Sequence, residues 1–304
     1  MFGKSSKKPV AASQASSSQT PTADDSYVKA LRIRVDDGKK IKLLEPGDTY
    51  FTCVASCISF GLDLLESRPG RRALERNGED IIKEVLKKNK DARVRDAAHI
   101  HDHVANFLRS VRSNFPCVIV RYLYRQNART TKGAWDQPPD RAFVAQHAAI
   151  IELNAFVITP SALSPRLPHL TTLTYSDLPS QLVTRLAQYL VDWRDKPTSE
   201  GRKHRFQTLL FRLGVTMAHE ITHIFTSYLL YDRRAHTPPG VSYGPFSSSI
   251  VGESGRVWEF RVFGGYMAFR TDGDFEHVGV VKEGGRVKVM TLPAIQSMLR
   301  RGKS

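Results

Sequence analysis

Cysteine is scarce in this 304-residue chain. There are three, Cys53, Cys57 and Cys117. An odd count this low excludes a disulfide framework and fits a reducing compartment. Long apolar runs are missing too. None approaches the roughly 18 residues that a membrane-crossing helix needs. The opening MFGKSSKKPVAASQASSSQT has no continuous apolar core, so it does not read as a secretory signal. It also lacks arginine, and Asp24 and Asp25 close the segment, which argues against a mitochondrial presequence. No zinc-finger spacing, RNP-type aromatic motif, Walker-type glycine loop or internal repeat is present. These absences together point to an intracellular, cytoplasmic or nuclear protein.

Acidic residues are outnumbered. Lys and Arg total 45 against 30 Asp and Glu, a formal net charge of +15. That excess raises the question of an acidic partner such as nucleic acid, although no motif supports one. Between residues 68 and 95 the basic residues are interleaved with Glu75, Glu79, Asp80, Glu84 and Asp91. Mixed-sign runs of this kind read as a solvated helical surface.

Residues 1–26 are rich in Ser and Lys and hold too few large apolar side chains to offset ordering entropy, so a disordered tail is expected. The remainder, 27–304, reads as one α+β domain with an N-terminal helical and strand part to about 140 and a catalytic part from 141. Asp36-Asp37-Gly38 between short apolar runs predicts a hairpin over 28–44. Helical periodicity covers about 54–114, broken at Arg68-Pro69-Gly70 and near Asn89. Residues 117–124 and 148–159 read as strands, with a polar, proline-containing loop at 125–142. A helix is expected from Pro179 to about Arg194. A helical stretch near 253–263, short strands near 266–269 and 277–281, and a helix near 293–300 complete the chain.

The longest periodic segment, 204–230, contains His219-Glu220-Ile221-Thr222-His223. Histidines four apart lie one above the other on a helix face, so both imidazoles can converge on one metal ion. Glu220, one position on, points beside the metal and suits a base that takes a proton from a metal-bound water. Thr216, Glu220, His223 and Ser227 form a polar stripe in an otherwise apolar helix. Burying such groups costs free energy unless they are used. A catalytic zinc site needs a third protein ligand. The HExxHxxGxxH spacing is absent, so the ligand must come from further along, from Asp232, His236, Glu253, Glu259 or His277. Gly252-Glu253-Ser254-Gly255 has small residues that allow close backbone approach to the helix. Glu259 is six positions later and faces elsewhere on a helix, so only one of the two glutamates is expected to meet the metal. The other is expected to hydrogen-bond a ligand histidine.

The HEITH segment followed by a glutamate-bearing helix resembles the gluzincin side of the zincin metallopeptidases. The wider run, MAHEITHIFTSYLL, then TPPG, then GESGRVWEFRVFGG, is similar to uncharacterised fungal HExxH proteins, over about residues 145–270. The resemblance implies a zincin-like fold, with a small mixed sheet packed on a long active-site helix. It assigns His219, His223 and Glu253 as Zn²⁺ ligands and Glu220 as general base. It also implies that residues 148–159 form the edge strand that pairs with an extended substrate. The chain departs from the best-known gluzincins in the longer gap between His223 and Glu253, and in having Gly252 where they have Asn. The implied function is zinc-dependent hydrolysis of a peptide or other amide bond. Alternatives are a zinc enzyme acting on a non-protein substrate in a specialised biosynthetic pathway, and a non-catalytic zinc-binding interaction protein.

Weaker features are read as structural. His99, His101 and His103 are taken as a polar helix surface, and Cys53 and Cys57 as buried thiols. Trp258 and Phe260 are taken as core residues. Tyr231, His236 and Tyr243 remain candidates for stabilising an oxyanion.

Overall fold

A computed structural model describes residues 28, 30–123, 127–132, 143–154, 182–232, 235–243, 251–272, 275–282 and 285–301. The expected N-terminal tail, Pro179 and the end of the strand expected to run to 159 lie outside these residues. The class is mixed α+β.

The hairpin is β1 (Ile33–Asp36) and β2 (Ile41–Leu43), antiparallel, with the turn at Gly38 at φ 81. Two helices follow, α1 (Thr49–Glu66) and α2 (Arg68–Lys88). Proline does not interrupt them as a gap. Ser67 ends one helix and caps the next, its hydroxyl accepting from the Gly70 amide, with Pro69 in the first turn where no amide is needed. A single 3-10 turn, Ala97–His99, leads into α3 (Ile100–Ser113).

The main sheet is completed by β3 (Cys117–Arg121), β4 (Ala128–Lys132) and β5 (Ala149–Asn154), the last preceded by a one-turn helix, α4 (Ala145–Ala148). Strand order is β2-β1-β3-β5-β4. β1, β3 and β5 run parallel; β2 and β4 are antiparallel edges. Two expectations change here. The segment read as a loop, 125–142, contains a strand, and that strand is the edge. β5 lies between β3 and β4, so it offers no free edge to a substrate. The reason is chemical: Ala128-Arg-Thr-Thr-Lys132 has no large apolar residue, so its sheet pairing leaves no hydrophobic alternation to detect.

The C-terminal half contains α5 (Leu182–Asp195), the 30-residue α6 (Glu200–Leu229), α7 (Ser254–Phe263) and an antiparallel sheet. That sheet is β6 (Tyr266–Asp272), β7 (Phe275–Val281) and β8 (Val287–Val289), followed by α8 (Leu292–Arg301). β8 is absent from the sequence expectations, because Val287-Lys-Val289 alternates over three residues only.

α6 is the axis of the molecule, packed against α1, α5, α7 and β4. Its buried face includes Phe206, Leu209, Phe211, Leu213, Met217, Ile221, Ile224 and Phe225. Each large apolar side chain removed from water contributes about 1.5–3 kcal/mol. That is enough in sum to hold polar residues in the middle of the same helix. α1 crosses α6 closely at Gly61 and Gly214. A methyl group on Gly61 would sit 2.9 Å from the Gly214 carbonyl oxygen, and one on Gly214 2.2 Å from the Phe60 ring. The C-terminus of α6 is closed by Arg95. Its amide donates to the Leu229 carbonyl, its Nε donates to the Tyr228 carbonyl, and its guanidinium lies between the Tyr228 and Tyr231 rings. A cation at a helix C-terminus meets the negative end of the helix dipole. No helix among the described residues is long and apolar enough to cross a membrane.

Candidate metal centre

His219 and His223 are one turn apart on α6, and their Nε2 atoms are 3.3 Å from each other. Glu253, the residue preceding α7, directs its carboxylate between them. Oε2 is 3.3 Å from His219 Nε2 and Oε1 is 3.3 Å from His223 Nε2. Glu253 stands in the N-cap position, yet its side chain makes no capping bond. Its Oε2 is buried with no well-aligned hydrogen bond to any described group. Metal–ligand bonds of about 2.0–2.1 Å in a tetrahedron place ligand atoms about 3.3 Å apart, so the spacing fits a zinc-sized ion. The donor set, two imidazoles and one carboxylate, is also a zinc set. Among the described residues these three form one group able to hold a metal, and Asp232, His236, Glu259 and His277 are not in it. Asp232, His236 and His277 are solvent-exposed.

Glu259 has a different position. Its Oε1 lies 2.7 Å from His219 Nδ1, on the far side of the ring from Glu253. Its Oε2 accepts from Arg256 Nη1 at 2.8 Å and from the Met267 amide at 2.7 Å. A neutral His219 that donates Nδ1–H to Glu259 turns the lone pair of Nε2 toward Glu253 and His223. His223 is held in a similar way. Its Nδ1 is 3.3 Å from Ser254 Oγ, which also accepts from Thr237 Oγ1 at 2.9 Å. The Ser254 carbonyl accepts from Asn77 Nδ2 at 3.0 Å, and Arg261 donates to Asn77 Oδ1. Asn77 and Ser254 are fully buried. This layer explains why α2, α7 and the Thr237 loop converge behind the histidines.

The electrostatics follow from this packing. Burial pulls the His219 imidazolium down, but the carboxylate of Glu253 facing Nε2 and that of Glu259 bonded to Nδ1 outweigh it and push its pKa up to about 10. Glu253 is desolvated, which raises a carboxyl pKa, yet the two histidines hold it well below the usual carboxylate range. Glu259 is likewise lowered by His219 and Arg256 against its own burial. A cation between these groups, proton or metal, is therefore strongly favoured.

Glu220 is buried, and its Oε2 accepts a 2.6 Å hydrogen bond from Thr130 Oγ1 of β4. The pleat accounts for this. Thr130 faces α6, while Arg129 and Thr131, one residue either side, reach Glu152 on the opposite face. Between β4 and α6 lies a cavity of about 260 Å³, lined by Asn127, Ala128, Thr216, His219, Glu220 and Arg256 among others. The Gly255 backbone abuts the His219 ring so closely that a methyl group there would lie 2.5 Å from it.

Sequence reasoning does not find Thr130, Asn77, Ser254 or Arg256. Thr130 sits in a segment without periodicity. Ser254 carries a local signal as the residue next to Glu253 at a helix start. Asn77 and Arg256 have none, being ordinary helix-surface residue types until the packing is known.

The remaining features take structural places. His101 pairs with Glu75 and His99 with Asp96 at the surface. Cys53 and Cys57 are buried in α1, and burial pushes Cys53 up to about 12. Trp258 is fully buried, whereas Phe260 is half-buried and stacked on Tyr243 with centroids 3.9 Å apart. The Tyr231 ring lies against Arg93 and Arg95, and His236 is exposed.

No protein-family model matches the chain, and no curated protein or solved structure shows significant similarity to it.

Proposed function

We propose that the chain is a zinc-dependent hydrolase of zincin-like fold that cleaves a peptide or other amide bond. The observation that carries this reading is the meeting of His219 Nε2, His223 Nε2 and the Glu253 carboxylate at mutual distances of 3.3 Å, with Glu220 lining the same cavity as His219. The mixed sheet, with its antiparallel edge strand lying along the helix that bears the histidines, supports the fold assignment.

Zinc, when bound, supplies Lewis acidity and lowers the pKa of a coordinated water toward about 7. The chain's own groups do the rest. Glu220 accepts a proton at the carboxylate oxygen left free of Thr130 and delivers it to the leaving amine. Thr130 keeps the other oxygen in place, so the base does not need to be ordered during the reaction. Glu259 and Ser254 fix the two imidazole rings. The outer edge of β4, unpaired among the described residues, can take an extended peptide as an added strand, beside the cavity in front of Glu220.

The test combines metal content with turnover of a mixed peptide library. The expected result is about one zinc per chain and cleavage by the wild type. Glu220→Gln should retain the zinc and lose the cleavage. Near-normal turnover by Glu220→Gln overturns the mechanism.

A further inference from the structure

A second cleft shares no lining residue with the cavity beside Glu220. It has a volume of about 400 Å³ and is lined by Arg68, Pro69, Arg72, Ala73 and Arg76 of α2, and by Arg261 of α7. The sequence shows a mixed-sign stretch here, and most of its carboxylates are paired: Glu75 with His101, Glu84 with Lys87, and Asp80 with Arg261 at the end of the cleft. Arg68, Arg72 and Arg76 follow one another at intervals of four residues, so they share one face of the helix. All three are solvent-exposed, and among the described residues none of them meets a carboxylate.

Like charges at this spacing repel, so the arrangement weakens the helix slightly instead of supporting it. It becomes favourable when an anion sits among the guanidinium groups. Arginine suits phosphate in particular, because its planar fork donates two parallel hydrogen bonds to the oxygens. The cleft is concave and falls within the size range of small-molecule sites, about 300–1,000 Å³. Pro69 and Ala73, from the same helix, add apolar wall between the charges. A flat basic stripe suits a long polyanion. A cleft of this volume suits a compact one.

We propose that this cleft binds a small molecule carrying two or more phosphate groups, held by Arg68, Arg72 and Arg76. Arg261, already engaged by Asn77 and Asp80, forms the end wall of the site. The inference is independent of the proposed hydrolase activity and needs no metal.

Isothermal titration of the chelator-treated full chain with inorganic pyrophosphate, at about 0.15 M salt where surface charge is screened, tests it. Binding is expected in the wild type and in His223→Ala, which removes a candidate metal ligand. Arg72→Glu should weaken it by about tenfold or more, consistent with the loss of a charge-assisted bidentate contact. Lys90→Glu changes the net charge equally outside the cleft and should leave binding intact. Absence of pyrophosphate binding overturns the proposal. So does equal weakening by Arg72→Glu and Lys90→Glu, or loss in His223→Ala with Arg72→Glu unaffected, which places the anion at the metal centre. A 20-nucleotide single strand that binds with a steep salt dependence while pyrophosphate is silent also overturns it, in favour of a polynucleotide surface.

Discussion

Thr130 donates a 2.6 Å hydrogen bond to Oε2 of Glu220, across 90 residues of sequence and from the edge strand to the central helix. The pair fixes the orientation of a buried carboxylate. Thr130→Val keeps the shape and removes the donor. Turnover is expected to fall by about ten- to a hundredfold, the range for losing a partner of a site residue. Zinc content should be unchanged and Thr130→Ser should restore most of the activity. Zinc loss in Thr130→Val would show a structural fault instead of a misplaced base.

The three groups that converge at 3.3 Å and the carboxylate behind them have separable roles. His223→Ala and Glu253→Ala are expected to lose zinc during dialysis. Glu259→Gln should retain it more weakly, by about ten- to a hundredfold in competition with a chelator. If Glu259→Ala loses zinc while Glu253→Ala keeps it, the two glutamates have been assigned the wrong way round.

Gly255 is required by the ring next to it. A methyl group at 2.5 Å from His219 must displace either the ring or the start of α7. Gly255→Ala is expected to destabilise the protein by about 1–3 kcal/mol, as other overpacked sites do, and to reduce zinc affinity as well. Chemical denaturation and a chelator competition would read the two effects. A variant as stable as wild type with full zinc affinity argues against this packing.

The metal-free protein should show a pH optimum of stability set by His219. Its pKa is raised from 6.5 to about 10, so the stabilisation is complete below 6.5 and is lost as pH rises through about 10. Glu253 and Glu259 are lowered from 4.5, so their part is present above 4.5 and lost as pH falls below it. The Tm of the metal-free chain is therefore expected to fall from pH 6 to pH 10. In His219→Gln the fall should be smaller, because that group no longer titrates. Equal slopes for the two proteins would remove His219 as the cause.

The thiols offer a check on the helical core. Cys53 and Cys57 are buried, and both are pushed to high pKa by that burial. They should resist a thiol reagent at pH 8 until the protein unfolds. Cys117 is partly exposed, so it should react first. Rapid modification of all three in the folded state would contradict the packing of α1.

Several features can be read from the sequence because their physics is local. The α6 helix declares itself by periodicity, and the convergence of His219 and His223 follows from a spacing of four residues. The β1–β2 hairpin follows from turn chemistry in a few adjacent residues, and the helix break expected at Arg68-Pro69-Gly70 falls just before it, at Ser67. Where the signal is faint, the reading fails. Ala128–Lys132 has no apolar alternation, so a strand reads as a loop, and the edge of the sheet is assigned to β5, which is interior.

What the sequence by itself determined is therefore a pair of histidines and a glutamate on one turn of one helix, together with a short choice of third partners. The tertiary structure alone decided among those partners. Which of Glu253 and Glu259 faces the Nε2 atoms depends on where α7 docks. Thr130 reaches Glu220 only because β4 pairs with β5 beside α6. A helix repeat places side chains over one or two turns, whereas contacts spanning 30 to 90 residues exist only after the core has packed.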